Sequence, residues 1–186
     1  RFPEISGRED RRDADVYLDG QRVMSLRYAD ATTLFRINLG WSNQRDDQAQ
    51  GFLLNLERGY WETNPIDNQD AAETTSGQQK RVVPFVTDTK NALIMRFHPV
   101  MPRETMAGIQ AAFKEAIQKV FQLESRELRA ESLPTITDRK EILFYEAAEG
   151  GAGILRQMVD DPTIIQKLAR RALIICHYNP DTLEDL

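Results

Sequence analysis

The feature that most constrains the fold is a short apolar run that leads directly into a glycine-rich turn. Residues 142–145 (Ile-Leu-Phe-Tyr) contain neither Gly nor Pro, which is typical of a buried strand. Glu146 follows, then glycines at 150, 151 and 153, and an apolar periodicity of helical spacing begins at Ile154. Glycine permits positive φ and a close approach of other groups to the backbone. The stretch therefore predicts a strand, a glycine turn and a helix in immediate succession.

Two interpretations of this turn stay open. The free amides at the start of a helix can hold an anion, so Gly150, Gly151 and Gly153 are candidate contacts to a phosphate. The turn lacks both the Lys-Ser/Thr pair of a phosphate loop and the G-x-G-x-x-G spacing of a dinucleotide site. It can equally serve packing alone, with Glu146 or Glu149 capping its amides or contacting a partner.

The residues before 100 alternate between short apolar stretches and turns, which predicts strands. Asp19-Gly20 is a strong hairpin signal, and further strands are expected at 23–28, 32–39 and 52–56. A second hairpin is predicted from 82 to 97, with its turn at 87–91. The dense mixed charges of residues 1–14 predict a solvated linker, and the polar stretch 62–79 predicts a mobile loop. The half from 15 to 100 is thus expected to form an antiparallel β-barrel or a sandwich-like fold.

The residues after 100 predict amphipathic helices packed on a short sheet. Apolar residues recur at helical spacing from 103 to 121. Asp161 followed by Pro162 predicts the N-cap and first position of a helix that runs to about residue 175. The sequence therefore predicts the α+β class, with a β-rich domain at 15–100 and an α/β domain at 101–186.

Composition excludes some classes of protein. The chain has 186 residues, of which 41% are hydrophobic and 28% charged, as in ordinary globular domains. Its apolar runs are far shorter than the ~20 residues that cross a bilayer, and no signal peptide is visible. Cys176 is the single cysteine, which excludes an internal disulfide and fits a reducing cytoplasm. The net charge of −5 argues against a surface that is basic throughout, but it leaves room for a local basic patch.

Few residues suggest chemistry. His98 and His177 lie in no nucleophile-elbow context, and neighbours such as Cys176 and His177 at a helix end point about 100° apart. The basic residues near the glycine turn are candidates for phosphate contact, although a solvated helix face explains them equally well. These candidates are Arg156, Lys167, Arg170 and Arg171.

Aromatic residues are frequent between 35 and 61, and they leave three interpretations open. They can pack in a core, form a base-stacking face, or present an apolar face around Trp41 and Trp61 to a partner protein. The residues concerned are Phe35, Trp41, Phe52, Tyr60 and Trp61.

Three stretches of the second half together resemble a known domain. They are the amphipathic helix at 106–121, the strand and glycine turn at 142–155, and Ala-Leu-Ile-Ile-Cys-His at 172–177. The pattern is similar to the MrfA-like zinc-binding (MZB) domain at the C-terminus of superfamily 2 DNA helicases. The resemblance implies that Cys176 belongs to a cysteine cluster that binds zinc. The other cysteines of that cluster are absent here, so we expect zinc only in a longer polypeptide of which this sequence is a piece, its MZB-like domain being truncated at the C-terminus.

A weaker likeness covers the first half. The phrase Leu-Phe-Arg-Ile-Asn-Leu-Gly-Trp at 34–41, with 51–52 and 59–61, looks like the segment that precedes this domain in large bacterial DEAD/DEAH-type helicases. Helicases of the DISARM anti-phage system are among them.

The resemblance implies a non-catalytic C-terminal accessory module of an ATP-dependent DNA helicase or translocase. ATP and Mg²⁺ would be bound by motor domains absent from this sequence, which has neither a Walker A motif nor a DExH box. The implied partners are single-stranded or partly unwound DNA, the motor domains and a DISARM subunit, in the cytoplasm and with no membrane contact. The first alternative is a protein-docking module without DNA contact. The second is a free-standing enzyme that uses the glycine turn for a nucleotide.

Overall fold

The computed structural model of the chain describes residues 11–40, 50–61, 79–147 and 151–186. Contacts divide the chain into a larger unit, residues 1–34 and 89–186, and a smaller unit, residues 35–88. The described elements are β1 (Arg11–Leu18), β2 (Gln21–Ile37), β3 (Phe52–Asn55), β4 (Gln79–Val82), β5 (Phe85–Phe97), α1 (Arg103–Phe121), β6 (Leu128–Pro134), β7 (Arg139–Glu146), α2 (Ile154–Asp160) and α3 (Pro162–Ile175).

A five-stranded sheet with the order β1-β2-β5-β7-β6 forms the centre of the larger unit. Neighbouring strands run antiparallel in the pairs β1–β2, β5–β7 and β6–β7. In the β5–β7 pair, Leu93 lies opposite Phe144 and Met95 lies opposite Ile142. The apolar run that precedes the glycine turn is therefore an inner strand, which explains why it contains almost no polar residue.

The three helices contribute to the core on one face of this sheet. Leu26, Leu93 and Phe144 point from three different strands into a single apolar cluster. Ile117 of α1 and Leu168 of α3 close the same cluster from the helical side. Each such side chain contributes roughly 1.5–3 kcal/mol through burial, so this layer supplies most of the stability of the unit. Polar side chains alternate with the apolar ones along β1 and β2, and they occupy the opposite face of the sheet.

The smaller unit contains a two-stranded antiparallel sheet of β3 and β4, in which Phe52 lies opposite Val82. The ring of Phe52 meets the indole of Trp61 edge-on, with the ring centroids 5.6 Å apart. Asn55 is buried, and its side-chain oxygen accepts hydrogen bonds from the amides of Glu57 and Arg58, which fixes the turn after β3. A two-stranded sheet is only marginally stable by itself, so these turn and ring contacts matter to it.

Several sequence predictions are confirmed. The α+β class is correct, and α1 and α3 have the expected bounds. The β1–β2 hairpin turns at Asp19 and Gly20, which both have positive φ, at 49° and 78°. Asp161 is the N-cap of α3, with Pro162 at the first helical position.

Other predictions are wrong. The described strands form no closed barrel, because β5 pairs with β7 of the second half instead of closing on the first half. No hairpin turn occurs at 87–91; this segment has no Gly or Pro to break the strand, and β5 runs through it. The strands expected at 23–28 and 32–39 are one strand, β2.

Some predicted segment boundaries differ from those in the structure, and others lie outside the described residues. β1 begins at Arg11, so the end of the predicted linker 1–14 is strand, and residues 1–10 lie outside the described residues. The predicted mobile loop 62–79 also lies outside them, apart from Gln79. The domain boundary between 100 and 101 falls inside the larger unit and stays a prediction. No helix in the described ranges has the length and apolar character needed to cross a membrane.

The Asp161 cap generates a prediction. Its carboxylate accepts hydrogen bonds from the amide and the hydroxyl of Thr163, at 2.9 and 2.7 Å, and these bonds hold its pKa below the ordinary value of 3.8. We expect Asp161→Ala to lower the melting temperature at pH 7, since the first turn of α3 then loses an acceptor, and Asp161→Asn to restore most of it. Circular dichroism melts measure both variants.

The same cap has a pH dependence of known sign. A carboxyl group with a depressed pKa in the folded state contributes stability above its unfolded pKa and loses that contribution as the pH falls through the folded value. The difference in melting temperature between wild type and Asp161→Asn should therefore change only below about pH 4. A change between pH 5 and 8 would contradict this assignment.

Candidate functional site

Glu146, the last residue of β7, organises the glycine turn. Only 3% of the residue is exposed, yet its carboxylate has four hydrogen-bond donors. Oε1 accepts from the amides of Ile154, at 2.7 Å, and Leu155, at 3.1 Å. Oε2 accepts from the amide of Gly153 and from Nδ2 of Asn91, both at 3.3 Å. Burying a carboxylate costs several kcal/mol, and hydrogen bonds to a charged group contribute roughly 1.5–3 kcal/mol each, so the full set of donors is what permits burial here.

The glycines allow this arrangement for two different reasons. Gly151 has φ 56°, and a Cβ atom there would overlap Oε2 of Glu146 and lie 2.7 Å from Nδ2 of Asn91. Gly153 has φ 68°, but a Cβ atom there would meet no atom within 4 Å. Gly151 is thus required by close approach as well as by backbone conformation, and Gly153 by conformation alone. Gly150 lies outside the described residues.

Asn91 connects the turn to the other strands. Its Nδ2 donates to Glu146, and its Oδ1 accepts from the amide of Ala31 in β2, at 3.2 Å. Lys90 donates from Nζ to the carbonyl of Ala147, at 2.7 Å. Elements far apart in sequence, namely β2, β5, β7 and α2, are therefore joined by one buried polar network.

Tyr28 lies near the same network. It is fully buried, and its hydroxyl donates to Asp30 through a short hydrogen bond. Burial, the bond to Asp30 and the negative charges of Asp30 and Glu146 together raise the pKa of Tyr28 well above its usual range. The phenol therefore remains a neutral donor throughout the physiological range.

This geometry bears on the predicted anion site. The amides at 153, 154 and 155 are those that a bound phosphate would need, and they already donate to the carboxylate of Glu146. The assignment of Gly150, Gly151 and Gly153 to nucleic-acid contact stays a prediction. The contacts favour the alternative interpretation, in which Glu146 caps the turn.

The predicted basic residues lie on two helices. Lys167, Arg170 and Arg171, which we call the α3 cationic strip, share one side of α3 because they are spaced three and four residues apart. Arg170 pairs with Asp181 at 2.7 Å, whereas neither Lys167 nor Arg171 has an ion pair among the described residues. Arg156 lies on α2 and pairs with Asp160 at 3.2 Å.

These ion pairs do not prevent contact with a ligand. The pair of Arg170 and Asp181 and that of Arg156 and Asp160 are both exposed to solvent. Exposed ion pairs contribute little to stability, because water and salt screen the two charges, so a phosphate group can displace either carboxylate. Arg12 also pairs with Asp160, at 2.7 Å. Desolvation raises the pKa of Asp160, but the hydrogen bonds from Arg12 and Arg156 outweigh it and the net shift is downward.

The residues around Cys176 do not complete a zinc site. Cys176 is exposed and directly follows α3, and His177 has φ 65°. The parts of the chain that the structure describes contain no group of three or more His, Cys, Asp or Glu side chains able to hold a metal ion. The sequence holds one cysteine and two histidines, whereas a structural zinc site takes four ligands of these types. Cys176 alone remains a candidate ligand.

The predicted aromatic residues lie in the smaller unit. Trp61 is 53% exposed, and Phe35 and Tyr60 are exposed to a similar degree. Phe52 is half-buried, and Trp41 lies outside the described residues. Most of these side chains are therefore not core residues, and both the base-stacking and the protein-docking interpretations stay predictions.

Sequence reasoning missed Asn91, Tyr28 and Asp30. Asn91 was assigned to a turn. It directly precedes the apolar residues 92–95, and this position beside an apolar run could have indicated a buried polar residue. Its partner Glu146 lies 55 residues away, and no local pattern identifies such a pairing.

Comparison with known proteins gives one family. Residues 109–178 match the family model described as MZB, the MrfA Zn-binding domain. The match covers 70 of the 186 residues, from α1 through α3, and confirms the resemblance inferred for the second half. No curated protein matches the chain.

A solved structure, described as the DUF1998 helicase MrfA bound to DNA, is similar over 93% of this chain. The TM-score is 0.47 and the sequence identity 11%. This chain spans 22% of the length of that helicase chain.

The capped turn predicts unequal effects for two glycine substitutions. Both Gly151→Ala and Gly153→Ala force a left-handed backbone on alanine, at about 1–2 kcal/mol. Gly151→Ala must also displace the carboxylate of Glu146 from its amides, so its free energy of unfolding should fall by at least ~2 kcal/mol more. Urea unfolding of both variants measures the difference, and equal losses would contradict the role of Glu146.

The carboxylate itself generates a second prediction. Glu146→Gln keeps the size of the side chain but replaces one acceptor oxygen by an NH₂ group that faces donors. We expect a loss of about 1–3 kcal/mol in the free energy of unfolding, because buried amides are left unpaired. Glu131→Gln, at an exposed glutamate of β6, is the matched control and should change stability by less than ~0.5 kcal/mol.

Proposed function

We propose that this chain is a non-catalytic accessory module of an ATP-dependent DNA helicase or translocase, which contributes DNA contacts and docks on the motor domains. The observation that carries the proposal is the match of residues 109–178 to the domain named after MrfA. MrfA is described as a DUF1998 helicase bound to DNA. We assign no catalytic residue to the chain.

The α3 cationic strip and Arg156 are the proposed contacts to DNA phosphates. Lys167 and Arg170 are exposed, Arg171 is half-buried, and α3 is held in place by its buried face. Arginine and lysine contacts to phosphates position a protein on nucleic acid without reading its sequence. Gly151 and Gly153 contribute to this surface indirectly, since the turn that they form around Glu146 sets where α2 begins and therefore where Arg156 lies.

Finer parts of the proposal concern the whole protein. Cys176 would be one ligand of a zinc ion whose remaining ligands come from outside this chain, as the name of the matched domain supports. ATP and Mg²⁺ would be bound by the motor domains. We further propose a cytoplasmic role in anti-phage defence, with the chain as part of a helicase similar to DrmA of the DISARM system and that system's other subunits as binding partners. Only the sequence likeness at 34–41, 51–52 and 59–61 supports this part of the proposal.

The test is a DNA-binding measurement on two matched charge-reversal variants. Lys167→Glu with Arg170→Glu changes the net charge by −4. Arg126→Glu with Lys140→Glu makes the same change at two exposed positions that the proposal does not use, in the turn before β6 and at the start of β7. Because binding is governed by phosphate contacts, the first variant should bind a fluorescent single-stranded oligonucleotide about tenfold or more weakly than wild type. Its salt dependence should also become shallower, by about one unit of slope in log–log form for each lost contact.

The control variant decides between a local surface and general charge. If both double variants lose affinity equally, net charge and not the α3 cationic strip governs binding. If wild type binds with an affinity that does not change between low and high salt, the phosphate-contact proposal is wrong.

A second candidate function is protein docking without DNA contact, which the exposure of Trp61 favours. In that case Trp61→Ser should weaken binding to the isolated motor domains in a pull-down, and the α3 variants should leave both DNA affinity and assembly unchanged.

A further inference from the structure

A concave site lies on the face of the central sheet that the helices leave uncovered. Its volume is about 510 Å³, within the range of small-molecule sites. Asp13 and Asp15 of β1 and Ser25 and Arg27 of β2 line it. Ala14, Met24 and Leu26 alternate with them along the strands and pack in the apolar core on the helical side, and Ala14 and Leu26 also border the site. Arg22, Arg96, His98 and Glu141 complete its polar lining, and Ile94 contributes apolar surface.

Three arginines line this site, and each has more N–H donors than it uses in hydrogen bonds to the protein. A guanidinium group carries five N–H donors. Arg27 donates from Nε to Asp13, at 3.0 Å. Arg96 donates from both Nε and Nη2 to a single oxygen of Glu141. The ion pair of Arg22 with Asp15 is 3.6 Å long, which is beyond a hydrogen bond.

His98 and Ser25 add two further hydrogen-bonding groups to the lining of the site. Nε2 of His98 and the hydroxyl of Ser25 form a hydrogen bond of 3.0 Å. In the described residues, the second ring nitrogen of His98 has no protein partner. An imidazole and a hydroxyl beside three guanidinium groups are groups that commonly bind phosphate oxygens.

Asp13 is held as a carboxylate by two arginines, Arg11 and Arg27. Partial burial works to raise the pKa of Asp13, but hydrogen bonds from Arg11 and Arg27 and their positive charges outweigh it, and the net shift is downward. The carboxylate therefore stays ionised and paired, and Arg27 keeps further N–H donors beyond the Nε that it gives to Asp13.

We infer that this site binds a phosphoryl group, held by the guanidinium groups of Arg22, Arg27 and Arg96 together with His98. The volume suffices for a nucleotide, so the phosphate is carried either by a free nucleotide or by a nucleic acid strand that lies across the sheet. The inference goes beyond the proposed function, because the α3 cationic strip belongs to the helical layer and contributes no residue to this site.

The experiment follows the ring protons of His98 by NMR. The chain has two histidines, so the second signal, from His177, serves as an internal reference. Inorganic phosphate, thymidine monophosphate, a thymidine oligonucleotide and unphosphorylated thymidine are added separately, each up to about 10 mM, which detects dissociation constants in the millimolar range. We expect at least one phosphate-bearing probe to shift the His98 signals with saturation, and thymidine to leave them unchanged.

Three arginine substitutions test the contacts. Arg22→Gln and Arg27→Gln each remove a guanidinium group from the site and should weaken binding about 10- to 100-fold. Arg11→Gln is the matched control: Arg11 also pairs with Asp13 but does not line the site, so this variant should bind within about twofold of wild type. Melting temperatures of the three variants check that the sheet is intact.

The probes separate the possible sources of the phosphate. Saturation by phosphate or thymidine monophosphate identifies a free anion or nucleotide, and saturation by the oligonucleotide alone identifies a strand. An unmoved His98 signal with every probe, an equal shift with thymidine, or an equal loss in Arg11→Gln would overturn the inference. If the α3 variants lose oligonucleotide binding but phosphate still shifts the His98 signals, the inferred phosphoryl site is supported and the DNA strand binds at the α3 cationic strip.

Discussion

The hydrogen bonds that Glu146 accepts are the interaction on which the junction between β7 and α2 depends. A carboxylate buried to this extent is tolerated only when its lone pairs are used, and here three backbone amides and Asn91 use them. The same bonds complete the start of α2, bind β7 to β5 and, through Ala31, reach β2. Gly151 lacks a side chain because the carboxylate lies where a Cβ atom would be.

The two faces of the central sheet carry different groups. The helices α1, α2 and α3 cover one face, and the turn around Glu146 sets where the helical layer begins. The cationic strip that we propose for DNA contact belongs to that layer. The opposite face carries alternating arginines and carboxylates over a concave surface. Basic groups in both places are what the two proposals, one on each face of the sheet, rest on.

Local patterns in the sequence predicted individual helices and strands, whereas the strand order depends on pairing between residues far apart in the chain. Apolar periodicity gave α1, and the residues Asp161 and Pro162 gave the start of α3, because these signals act within one helical turn. Alternation cannot tell which strand pairs with which. A barrel or a sandwich-like fold was therefore expected for residues 15–100, and the pairing of β5 with β7 was not. The glycine turn was identified as the central feature, but the partner of its amides was not determined. Glu146 was one of two acidic candidates, and Asn91, whose bond supports it, was assigned to a turn.

Amide hydrogen exchange measures the central claim directly. If the carboxylate of Glu146 holds the amides of Gly153, Ile154 and Leu155, these three protons should exchange as slowly as those of the inner strands β5 and β7, and should become fast in Glu146→Gln while the strands stay protected. Fast exchange of the three amides in the wild-type protein would contradict the account, since these donors would then be free for an external anion.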